Sequence, residues 1–216
     1  GHTTGVNVTI QLPGTDPTKE TPTVVNFARE IAQHIQDQHP GMEVRLTGMV
    51  MMNNAFTEAS QGDIPKLVLP SIGLMLLCLA LLLRGLTGTI VTFFVIIFSI
   101  LSAMGIGGYI GFPITPPTAA APTIILTVAI ANCVHILVTF LHEMRHGKDK
   151  TAAMSESLRV NLQPVFLTSL TTALGFLSML FSEVPPFQHL GILVAIGVMA
   201  SFIFSVTFMP AVISFL

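Results

Sequence analysis

TPPTAAAPTIILTVAIANCVHILVTFLHEMRH, residues Thr115–His146, has a middle apolar enough to cross a bilayer. That middle lies within a longer run, Gly85–Leu141, that holds no Asp, Glu, Lys or Arg. A spanning helix needs about 20 such residues at roughly 1.5 Å rise each. Yet Asn132 and His135 sit near the centre of the stretch, where polar side chains are costly unless partnered. Asn132, His135, Thr139, His142 and His146 follow one another at spacings of three and four residues. Such spacing puts all five on one helical face. The stripe suits a helix–helix contact, with interhelical hydrogen bonds worth about 0.6 kcal/mol each. It equally suits a conduit for protons or ions, and spacing alone leaves both readings open.

Working outward, the 216-residue chain is 51% hydrophobic and 9% charged, the balance of a membrane protein. Seven of its 11 acids and three of its nine bases fall in residues 1–65. A basic nucleic-acid surface is absent, and no nucleic-acid partner is expected. Cys78 and Cys133 lie in apolar segments, which argues against a disulfide framework or metal cluster. The chain opens inside a polar segment without an initiator Met or a signal peptide, so it is expected to be part of a longer protein.

The first segment predicts a small α+β unit over residues 1–65. Gly5–Leu12, GVNVTIQL, alternates as a half-buried strand, ended by Pro13-Gly14. Thr21 with Pro22 behind it reads as an N-cap and first helical residue. Val24, Ala28, Ile31 and Ile35 form an apolar helical face, and Met42–Leu46 reads as a second strand. From Gly48 a helical lead-in approaches the membrane. Residues 66–216 then predict five spans, at about 67–83, 87–109, 118–142, 163–182 and 187–214, with an amphipathic surface segment at about 147–160. Lys66 and Arg84 fence the first span. Gly105, Gly107, Gly108 and Gly111 at the end of the second, Gly175 in the fourth, and Gly191 with Ala195 in the fifth are candidates for close helix approach. Pro116-Pro117 and Pro185-Pro186 mark turns that start new helices.

Basic residues set the expected orientation. Arg84, Arg145, Lys148, Lys150 and Arg159 occupy alternate connections, and connections 110–117 and 183–187 have neither Lys nor Arg. By the positive-inside rule the basic loops face the cytoplasm and residues 1–65 lie on the outer side.

Two further patterns carry chemistry. His142-Glu143-Met144-Arg145-His146 matches HExxH, the helical zinc site of metalloproteases. A catalytic zinc needs a third protein ligand and an open position, and the candidates Glu156 and Asp149 sit in a polar loop without a supporting motif. The zinc protease is therefore the weakest reading, and neither metal nor cofactor is expected. Thr168, Thr171, Thr172 and Gly175 form a second stripe on the fourth span, either a packing face or a lining opposite Asn132 and His135.

PTIILTVAIANCVHILVTFLHEMRHG, NLQPVFLTSLTTALGFLSMLFSEVPPF and HLGILVAIGVMASFIFSVTFMPA together resemble the resistance–nodulation–division (RND) transporters, within them the MMPL-like group. The resemblance implies the end of a first periplasmic porter domain followed by membrane helices two to six of a twelve-helix, two-repeat protein. It implies a transporter, not an enzyme, in the bacterial inner membrane, exporting a lipid or other hydrophobic molecule with proton linkage. Implied partners are the bilayer, that substrate, the second repeat, and a homo-oligomer or accessory protein. In such families the helix carries an Asp in an A-D-x-x-H setting; here the position is Asn132, in Ala131-Asn132-Cys133-Val134-His135. Asn cannot titrate, which leaves His135, of a residue type with an ordinary pKa near 6.5, or an acid of the second repeat. The rival reading is a non-transporting, sterol-sensing-like lipid-binding or assembly module.

Overall fold

The computed structural model describes residues 4–13, 17–63, 66, 69–83 and 86–215. Arg84, Gly14 and residues 67–68 of the expected first span lie outside them. The chain divides into two compact units, residues 1–62 and 63–216.

In the first unit, helices α1 (Pro17–Gln38) and α2 (Met49–Asp63) carry all the regular structure of the described residues. Neither expected strand forms: residues 5–12 and 42–46 are irregular, and no described residue is in a β-strand. Alternation specifies a face, but a strand also needs a neighbour about 4.8 Å away to bond its backbone. None of the described residues supplies one, and the face meant for burial is open, Val6 at 86% and Val8 at 69% exposure. Helix α1 also begins earlier than the Thr21-Pro22 signal. Pro17 provides the same favourable first-turn chemistry, Glu20 adds an acid in that turn, and Pro22 ends up inside the helix. Arg29 on α1 forks onto Glu58 on α2, donating to its two oxygens at 2.8 and 3.0 Å. Buried Asn54 donates to the same carboxylate at 2.8 Å.

The second unit is a helical bundle: α3 (Leu69–Leu83), α4 (Leu86–Ile110), α5 (Pro116–Ala119), α6 (Ala121–Arg145), α7 (Lys150–Leu177), α8 (Pro185–Val206) and α9 (Phe208–Phe215). Among the described residues, four stretches are long and apolar enough to cross a membrane: α4, α5 with α6, α7 with the 3₁₀ turn Ser178–Phe181, and α8 with α9. A fifth span, the one expected at about 67–83, is not supported: over its described residues α3 has 15, about 22 Å at helical rise, against a hydrocarbon core of about 30 Å.

Helix α8 is the hub, packing against α4, α5, α6, α7 and α9. It holds no charged residue and buries Leu190, Gly191, Leu193, Val194, Ala195, Gly197, Val198, Ser201 and Ser205, as a helix surrounded on several sides must. Where one span was expected over 187–214, the helix breaks at Thr207, between α8 and α9. Pro210 accounts for this: its ring would clash with the carbonyl of Val206, four residues earlier. Pro164 has no such effect. Helix α7 runs unbroken through it, so the surface segment expected near 147–160 and the span expected at 163–182 share one 28-residue helix.

The turns are closed by local chemistry. Gly111, at φ +86°, lets Phe112 N–H reach the Gly107 carbonyl at 2.9 Å and end α4. Gly147, at φ +89°, does the same for α6, where Lys148 N–H meets the Glu143 carbonyl at 3.3 Å. Pro116 and Pro185 begin α5 and α8 at positions whose N–H groups are free in any case.

Candidate functional site: a buried amide between three helices

Helix α7 presents Ala153, Ser157, Asn161, Val165, Ser169 and Ala173 at four-residue intervals, and all six are buried. Small side chains at this spacing let α6 approach closely, so the hydroxyls between them reach across the interface. Opposite them, Asn132 of α6 is 2% exposed. Its Nδ2 donates to Ser169 Oγ of α7 at 3.1 Å and to Ser201 Oγ of α8 at 3.0 Å. Ser201 in turn donates to the Val198 carbonyl at 2.9 Å. One amide thus ties three helices, and both of its N–H groups are used.

Towards the α6–α7 turn a second polar layer follows. Asn161 Nδ2 donates to Thr139 Oγ1 at 2.8 Å and to the Ser157 carbonyl at 2.9 Å. Ser157 Oγ donates to the Ile136 carbonyl at 2.6 Å. Thr139 itself donates to the His135 carbonyl at 3.1 Å. All the bonded side chains in this layer are neutral, so it can order the helices without holding a charge.

The five-residue stripe of α6 is therefore split. Asn132 is buried and Thr139 half-buried, whereas His135 and His142 are exposed and turn away from the other helices of this unit. The Thr168–Thr172 hydroxyls are not hydrogen-bonded to Asn132. Thr168 donates to the Pro164 carbonyl, Thr171 to Leu167 and Thr168, and Thr172 to Thr168, each within α7. Ser169, Ser201, Ser157 and Asn161 are the residues that sequence reasoning missed. The signal for three of them was the uninterrupted four-residue ladder on α7.

His142 and His146 lie ring against ring, centroids 4.2 Å apart. Glu143 pairs with Lys148 at 2.8 Å, and this hydrogen bond holds the Lys148 ammonium above its usual pKa. No cluster of three His, Cys, Asp or Glu suited to a metal is found among the described residues.

The small residues also divide. A Cβ on Gly191 would meet the backbone carbonyl of Phe176, and one on Gly107 the tip of Leu193. Ala195 is buried on α8. Gly105, Gly108 and Gly175 have open space around them, and Gly111 serves the turn. Gly197, not singled out from the sequence, faces Ile125 across the α6–α8 contact.

A bundle of long apolar helices, charged only near the α6–α7 turn and tied by a neutral polar network, defines a polytopic integral membrane protein. The chain belongs to the MMPL family, whose profile matches residues 3–216. It is 24% identical over 176 residues to "Putative membrane protein MJ1562" of Methanocaldococcus jannaschii, covering 81% of this chain and 45% of the relative. It is 24% identical over 196 residues to "Putative membrane protein YdgH" of Bacillus subtilis, covering 88% of this chain and 21% of the relative. The chain thus spans less than half the length of either relative.

Proposed function

We propose that this chain is part of an RND-type exporter that moves a lipid or other hydrophobic molecule, with proton linkage through His135. Membership of the MMPL family supports the transporter class. The observation that carries the coupling reading is the division of the α6 stripe. Asn132 is consumed in a neutral tie, while the imidazole three residues further on faces outward from the bundle. An exposed imidazole in mid-span is costly against lipid, so it belongs against another polar surface or a water-filled path. The second repeat of the full-length protein is the natural cover. In this reading the chain lies in a bacterial inner membrane, residues 1–65 are periplasmic, and the α6–α7 turn with Arg145, Lys148 and Lys150 is cytoplasmic. The chain acts as a transporter and not as an enzyme.

One observation favours a second reading, a non-transporting lipid-binding or assembly module. The position where the family resemblance implies an Asp holds an amide whose Nδ2 is engaged by two serines. Efflux from proteoliposomes of the full-length protein, with and without a proton gradient, separates the two. Gradient-dependent export supports the transporter, and a folded protein that binds lipid without moving it supports the module.

A further inference from the structure

The last turn of α6 contains a side-chain pair that the export reading does not use. His142 and His146 are four residues apart, exposed, and in ring contact at 4.2 Å with a 46° tilt. Their backbone is fixed by the closed helix end. His146 N–H bonds the Glu143 and His142 carbonyls, Gly147 takes the left-handed conformation at φ +89°, and Lys148 N–H closes onto Glu143. The His146 ring is fixed as well, because its Nδ1 lies 2.8 Å from the His142 carbonyl. A carbonyl can only accept, so that nitrogen carries a proton, and in the neutral ring Nε2 keeps its lone pair. This arrangement, one ring nitrogen held by a backbone oxygen and the other free, is how metal-bound histidines are oriented. The negative end of the helix dipole at the same turn favours a cation.

We propose that His142 and His146 form a two-imidazole chelate for a divalent d-block ion of the nickel, copper or zinc type, with water completing the coordination. Imidazole pairs suit these ions and not magnesium or calcium, which take oxygen ligands. The site differs from a catalytic HExxH centre because Glu143 is turned to Lys148 at 2.8 Å and no third protein ligand stands by among the described residues. Arg145 and Lys150 are exposed nearby and oppose the ion, so the chelate depends on both rings acting together.

The test uses the full chain without an affinity tag, purified in detergent, with Cu²⁺ and Ni²⁺ as probes. The copper electron paramagnetic resonance spectrum should show two imidazole nitrogens in the wild type and one in His142→Gln or His146→Gln. Each of these variants should bind Ni²⁺ at least tenfold more weakly, while Glu143→Gln binds as the wild type does. Unchanged circular dichroism of the exposed His variants guards against misfolding. A wild-type spectrum with one nitrogen, or equal Ni²⁺ affinity in the double variant, would mean an adventitious ion only and overturn the chelate.

Discussion

Replacing Gly191 by Ala puts a methyl group where α7 and α8 touch. The added carbon meets the backbone carbonyl of Phe176 and lies 3.1 Å from Met179 Cβ. Neither atom can rotate away, so the helices must separate or the backbone must shift. Overpacking a close-packed interface costs about 1–3 kcal/mol, and a backbone obstacle places Gly191→Ala in the upper half of that range. Gly107→Ala meets the far end of the Leu193 side chain, which can change rotamer, and should cost less, about 1 kcal/mol. Gly105→Ala has open space and should gain up to about 1 kcal/mol from helix propensity. Reversible unfolding of the three variants in mixed detergent micelles gives the ordering directly. A neutral Gly191→Ala beside a destabilised Gly105→Ala would refute the packing described for α7 and α8.

Three further outcomes are expected. Asn132→Ala removes two interhelical hydrogen bonds at about 0.6 kcal/mol each and should cost about 1 kcal/mol, whereas Asn132→Asp brings a mid-membrane charge worth about 2.5–3.5 kcal/mol; equal micelle stabilities would count against the three-helix tie. In the first unit, hydrogen bonds from Arg29 and then Asn54 hold the Glu58 carboxyl below its ordinary pKa of 4.5. The contribution is present above pH 4.5 and is lost as the pH falls through the lower folded value, so amide protection of α1 and α2 should drop there in the wild type and less in Glu58→Gln. Finally, a cysteine at Glu183 should react with an impermeant reagent outside intact cells and one at Lys148 should not; the opposite pattern reverses the topology.

Much of the bundle was legible because a long apolar run has few alternatives in a membrane, and Pro-Pro turns announce helix starts. Asn132 drew attention through its cost at depth. Its partners did not, because Ser169 amid threonines and Ser201 amid apolar residues each look like one more small residue. Thr168, Thr171 and Thr172 share a face by spacing, but each satisfies its own hydroxyl within α7, while Ser169 points across. The glycines show the same limit: Gly105 and Gly197 are alike in sequence, and only the position of Ile125 distinguishes them. The strands of the first unit failed for another reason. Alternation in Gly5–Leu12 states what a partner sheet would bury, and that partner is not among the described residues.

The most direct test of proton-linked export through His135 is gradient-driven efflux of a fluorescent lipid by His135→Ala in the full-length protein, reconstituted beside the wild type and Asn132→Ala. His135→Ala should assemble at wild-type yield, because the ring is exposed on this bundle, yet lose gradient-dependent export. Asn132→Ala should keep that export with reduced stability. Export by His135→Ala at the wild-type rate and with the wild-type dependence on the gradient would contradict the account.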